Sequence, residues 1–160
     1  MSVTPADAAT PTLAWQQVQA VRVLCLVQPE TRPDADALRG EICRAAVRLA
    51  AQRAPLPVSE VGFGDPAVIA PGVVTLLVHA SVAPDGDGRL LAFNVRPYRT
   101  GGVEASQLFT AAPRALRLPA SGPGGHALER SLAGALAEIL PWLAPRAADL
   151  SIHPTGGMND

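Results

Sequence analysis

Residues 73–99 read VVTLLVHASVAPDGDGRLLAFNVRPYR, and this stretch decides the fold class. Two largely apolar runs rich in strand-forming residues, 73–83 and 89–99, flank Pro84-Asp85-Gly86-Asp87-Gly88. The Asp and Gly residues of that link suit the backbone angles of a hairpin turn. In the second run Leu91, Phe93 and Val95 alternate with Leu90, Ala92 and Asn94, so one face should be buried and the other only partly covered. Pro97 has no amide hydrogen to donate to a ladder, which puts the far end of the run at an edge or outside the sheet.

Upstream of the hairpin, residues 21–27 are β-branched and nearly continuously apolar, as in a central strand with both faces at least partly covered. A helix should follow, begun by Asp34 or Asp36 as cap and running to about Arg53. On it Leu38, Ile42, Ala45, Ala46 and Leu49 form one stripe, while Arg39, Glu41, Arg44 and Arg48 fall mostly elsewhere. A short strand is expected over 58–63. Downstream, short strands are expected over 106–110 and 114–118. A final helix should run from about His126 to Leu140, striped by Leu128, Leu132, Leu136, Ile139 and Leu143, with Pro141 ending or kinking it. The predicted class is α+β: a mostly antiparallel sheet with two amphipathic helices covering one face. A chain of 160 residues has room for one such domain. The expected organisation is a mobile arm over 1–18, with Trp15 near its end, a domain over 19–144, and a flexible tail over 145–160.

Composition excludes several functions. The net charge is −1, which gives no global attraction to nucleic acid or anionic lipid. All 13 basic residues are Arg, so neither a Schiff-base lysine nor the lysine of a phosphate-binding loop is available. The abundance of Arg, Ala, Gly and Pro reflects GC-rich coding. No apolar run approaches the ~20 residues of a membrane helix, so no membrane insertion is expected. Residues 1–12 lack the basic and apolar regions of a signal peptide, as a cytosolic start or a mature exported chain would.

The candidate chemistry is sparse. Asp85-Gly86-Asp87-Gly88 lacks the third acidic position and the late Glu of a calcium loop, so its turn chemistry is the better explanation. His79, His126 and His153 show no metal-ligand spacing, and no cofactor is expected. Neither a nucleophile elbow nor a dinucleotide fingerprint is present. Arg96, Tyr98 and Arg99 leave the hairpin together near Thr100-Gly101-Gly102. They can form a small anion- or partner-binding corner, against the plainer reading of a solvated strand end. Cys25 falls on the first strand and Cys43 on the flank of the helix expected to cover it. A bridge between them would contribute about 3 kcal/mol and require an oxidising compartment; two buried free thiols fit the same positions.

The pattern over 73–140 resembles the amino-terminal domain of the periplasmic Tol protein TolB and related bacterial envelope-assembly domains. The resemblance lies in an apolar strand ending in Val82-Ala83-Pro84-Asp85-Gly86-Asp87-Gly88, a second ending in Tyr98-Arg99-Thr100-Gly101-Gly102, and a closing amphipathic helix. The strand and helix over 21–53 precede them in matching order. It implies a non-catalytic periplasmic module that docks another envelope protein by a sheet edge, arm or helix face. The alternative is a small-molecule-binding protein or small enzyme, cytoplasmic or exported, with a pocket between sheet and helices near His79, Arg96 and Tyr98. Oligomeric state is left open.

Overall fold

The structure is a computed structural model and describes residues 15–100 and 110–144. The expected strand over 106–109, Gly101, Gly102, His153, the tail and most of the arm lie outside the described residues. In chain order the elements are β1 (Ala20–Gln28), α1 (Ala35–Ala50), β2 (Val58–Glu60), a 3-10 helix (Pro66–Ile69), β3 (Val73–Asp85), β4 (Gly88–Tyr98), β5 (Arg114–Pro119) and α2 (Gly125–Ala137).

The strands form one open sheet in the order β2-β1-β3-β4-β5. The hairpin dominates it, with β3 and β4 antiparallel from Thr75↔Tyr98 to Asp85↔Gly88, and β5 antiparallel to β4. The expected five-residue link shrinks to a two-residue turn. Gly86, at its first central position, has φ +59, which a residue with a Cβ rarely adopts. By contrast β1 runs parallel to both β2 and β3, because α1 and the segment over 61–72 carry the chain back before each new strand begins. The class is α+β, with a parallel corner built on β1.

Both helices lie on one face. Val23 of β1, Leu76 and Val78 of β3 and Leu91 of β4 share a buried cluster with Leu38 and Ile42 of α1 and Leu128 and Leu132 of α2. The stripes predicted on both helices are the buried faces. The helices are shorter than expected: α1 stops at Ala50, and residues 138–143 beyond α2 continue as turns that still bury Ile139 and Leu140. The packed body begins earlier than residue 19. Val18 is buried, and Trp15 meets Trp142 edge to face at 5.3 Å, while the Trp142 indole donates to the Ala50 carbonyl at 2.8 Å.

Asp34 stands at the N-cap of α1, but its carboxylate does not cap. It is taken by Arg32 and by Arg89, a guanidinium only 4% exposed. Arg89 also donates to the carbonyls of Pro119 at 2.7 Å and Gly122 at 2.8 Å. One buried cation thus joins β4, the end of β5 and the loop before α2 to the start of α1. Beside it, Glu41 of α1 accepts the amides of Gly124 at 2.7 Å and Gly125 at 3.3 Å. The first turn of α2 therefore receives its carboxylate from the other helix.

The Cys25 and Cys43 sulfurs are bonded, with their Cα atoms 5.8 Å apart. Cys25 points from β1 to the helix side of the sheet and Cys43 sits on the inner side of α1, so the flank position of Cys43 does not keep them apart. Both residues are almost fully buried.

Candidate functional site

Neither α1 nor α2 covers the other face of the sheet. Because side chains alternate along a strand, that face carries the odd-numbered positions of β3 and the even-numbered positions of β4. Register then sets the neighbours: Thr75 lies across from Tyr98, Leu77 from Arg96, His79 from Asn94, and Ser81 from Ala92. On the far side of β3, Arg22 aligns with Thr75, Leu24 with Leu77 and Leu26 with His79.

One corner of this face is roofed. The 3-10 helix packs against β3 and β1, and the Thr75 hydroxyl donates to the Val68 carbonyl at 2.9 Å. Asp65 starts that helix by accepting the Ala67 amide at 2.8 Å. Thr75 and Leu24 are consequently buried although they point away from α1 and α2. The rest, over the outer part of β3 with β4 and β5, is open. Leu90 is 40% and Tyr98 47% exposed there, with exposed Ser81, Ala92, Arg96 and Ala115 between and around them.

The residues singled out in the sequence separate into two groups. His79, Arg96 and Tyr98 do share a surface, on adjacent strands. That surface is opposite to the one expected for a pocket: they face away from the helices, and the space between sheet and helices is filled by the apolar core. The alternation already placed Asn94 on the partly covered face; its even-numbered neighbours on β4, Arg96 and Tyr98, follow by the same count. Arg99 departs from them and donates to the Gln16 carbonyl at 2.8 Å, tying the end of β4 to the segment before β1. His126 stands on the helical layer, 3.9 Å from Glu129 and highly exposed. Asn94 was not singled out, and its Oδ1 is buried without a hydrogen-bond partner among the described residues.

The electrostatics of the open face follow from its few charges. Arg22 donates to the Ser59 hydroxyl at 2.5 Å, and Arg117 pairs with Asp85. Arg96 makes no hydrogen bond or ion pair among the described residues. No group of three or more His, Cys, Asp or Glu side chains suited to a metal ion occurs among the described residues. A cleft of about 490 Å³ lies elsewhere, at the carboxyl end of β1, between Leu26–Gln28, the start of α1 and the exposed Phe63. Its charged lining consists of Glu30 and the ion pair of Arg39 with Asp36. Nothing in this arrangement sets a nucleophile beside a base, whereas the open face offers apolar and aromatic side chains around a cation, which is the make-up of a contact surface.

No family model matches the chain, and no curated protein matches it. Among solved structures, the fold is similar to PelC dodecamers from Paraburkholderia phytofirmans. For a variant crystallised in space group C2 the identity is 13%, with 79% of this chain and 90% of that chain covered and a TM-score of 0.48. For the dodecamer in space group P6 the identity is 15%, with 81% and 90% covered and a TM-score of 0.47. No helix among the described residues is long and apolar enough to cross a membrane.

Proposed function

We propose that this chain is a non-catalytic protein-interaction module of the bacterial cell envelope, working in the periplasm. The observation that carries the reading is the Cys25–Cys43 bridge, which ties the interior strand β1 to its cover helix inside the core. Structural disulfides persist in oxidising compartments and are rare in the bacterial cytosol. The reading is also supported by an open sheet face that presents contact-type side chains. It extends to the resemblance to TolB amino-terminal domains, which shares the order of strand, helix, hairpin and closing helix.

Fractionating the native host and alkylating the protein before and after reduction tests this. The expected result is a periplasmic protein whose two cysteines resist alkylation under denaturing conditions until a reductant is added. A cytosolic protein with both thiols alkylated from the outset would remove the main support.

A further inference from the structure

The connections that follow β1 and β2 leave the sheet on opposite sides. From β1 the chain passes to α1 on the helix side, whereas from β2 it passes over the other face through the 3-10 helix to β3. β1 and β2 are neighbours and parallel, so their carboxyl ends share one edge of the sheet. Where neighbouring parallel strands send their connections to opposite faces, a crevice opens beyond their carboxyl ends, and ligands of open sheets bind in such crevices. The cleft of about 490 Å³ stands at that point, and its size is that of a small-ligand site. One wall is Phe63, 82% exposed. The chain reaches it just beyond β2, in a turn closed by the Asp65 amide donating to the Gly62 carbonyl at 3.2 Å, with Gly64 at φ +83. A residue with a Cβ rarely takes that angle, so the glycine lets the turn present the ring at its tip.

We infer that this cleft binds an organic cation, a guanidinium or alkylammonium group carried on an apolar stem. The inference goes beyond the interaction-module reading and does not depend on it. Val27 and Ala35, both buried, and Leu26 give the cleft an apolar floor that suits the stem. Among its charges, Asp36 and Arg39 neutralise each other at 3.0 Å, which leaves Glu30 without a counter-charge among the described residues. The face of the Phe63 ring carries the negative part of its quadrupole. A cation is therefore drawn by the ring and by the carboxylate. A guanidinium suits both, since it stacks on aromatic faces and meets a carboxylate through two parallel hydrogen bonds. An anion would be repelled by both, and a neutral ligand would cover Glu30 without supplying a counter-charge. An unpaired carboxylate is common on a surface; Glu30 stands apart in having an apolar floor and an aromatic wall beside it, at the point where the topology switches.

Amide NMR titration of the full chain with n-butylguanidinium tests this, with pentanoate and 1-pentanol as anionic and neutral controls of similar size. The expected result is a set of saturable shifts confined to residues 26–30, 35–39 and 62–65, absent with pentanoate and much weaker with 1-pentanol. Phe63→Ala and Glu30→Gln should each weaken binding about tenfold, the scale of one cation–π contact or one charge-assisted pair taken out of water. Both residues are exposed, so both variants should keep the melting temperature. Asp87→Asn removes an equal charge from the hairpin turn, outside the cleft, and should leave binding unchanged. A parallel titration with N-acetylarginine methylamide identifies the source of the cation. Tighter binding than n-butylguanidinium assigns the cleft to an arginine side chain of a polypeptide, weaker binding to a free small cation, and either order supports the site. Absence of saturable shifts with n-butylguanidinium, equal binding of pentanoate or 1-pentanol, shifts centred elsewhere, or indifference to residues 30 and 63 would overturn the inference. A loss from Asp87→Asn as large as that from Glu30→Gln would do the same, by showing attraction to net charge alone.

Discussion

Arg89 concentrates more of the fold's polar satisfaction than any other single residue described above. Its guanidinium is buried and serves the Asp34 carboxylate and two carbonyls at once, so its removal strands acceptors that water reaches poorly. Arg89→Ala should cost about 3 kcal/mol, read from urea denaturation. Arg89→Lys should recover only part of this, because a single ammonium cannot reproduce the fork that spans these acceptors. The same cluster sets a pH dependence. Hydrogen bonding from Arg32, reinforced by its charge and by Arg89, holds the Asp34 carboxyl below its ordinary value of 3.8. A folded-state value below the unfolded one contributes stability that is present above the unfolded value and lost as pH falls through the folded one. Stability should therefore drop as the pH is lowered below about 4, and Asp34→Asn should flatten that part of the curve in denaturation series at stepped pH. An unchanged slope would mean that the carboxylate gains nothing from its partners.

Among the elements, β1 and α1 depend on each other most. β1 supplies the buried Val21, Val23, Cys25 and Val27 to the helix side, and α1 returns Leu38, Ile42 and Leu49. The bridge closes the chain over a separation of 18 residues, within which lie the turn and the first half of the helix. In the chain-entropy picture that closure contributes about 3 kcal/mol by restricting the unfolded state. Reduction, or replacement of both cysteines by Ala, should lower the melting temperature by roughly 10 °C for a domain of this size. Calorimetry with and without reductant reads it directly, and a shift below a couple of degrees would show that packing alone holds α1 on β1. The hairpin differs, since its register is set locally by a two-residue turn and by the alternation of Leu91, Phe93 and Val95 with polar or small neighbours.

At the scale of the whole molecule, a sheet covered by helices on one side must do something with the other. Here the 3-10 helix and its flanking loop roof one corner, and the hairpin half stays open around Arg96 and Tyr98. Period-2 and period-3.6 patterning in the sequence by itself determined the hairpin, the central strand, both helical stripes and hence the α+β class, because those signals arise between residues a few positions apart. It also showed that positions such as Asn94 would be only partly covered. Tertiary structure alone decided three things: that β1 runs parallel to both neighbours, that Cys25 meets Cys43, and that His79 on β3 shares the face of Arg96 and Tyr98, away from the helices. It likewise decided that Arg89, unremarkable at the start of a strand, would be the buried tie between four segments. Each of these depends on which face of a strand the crossover places against the helices and on groups far apart in the chain, and local pattern carries no sign for either.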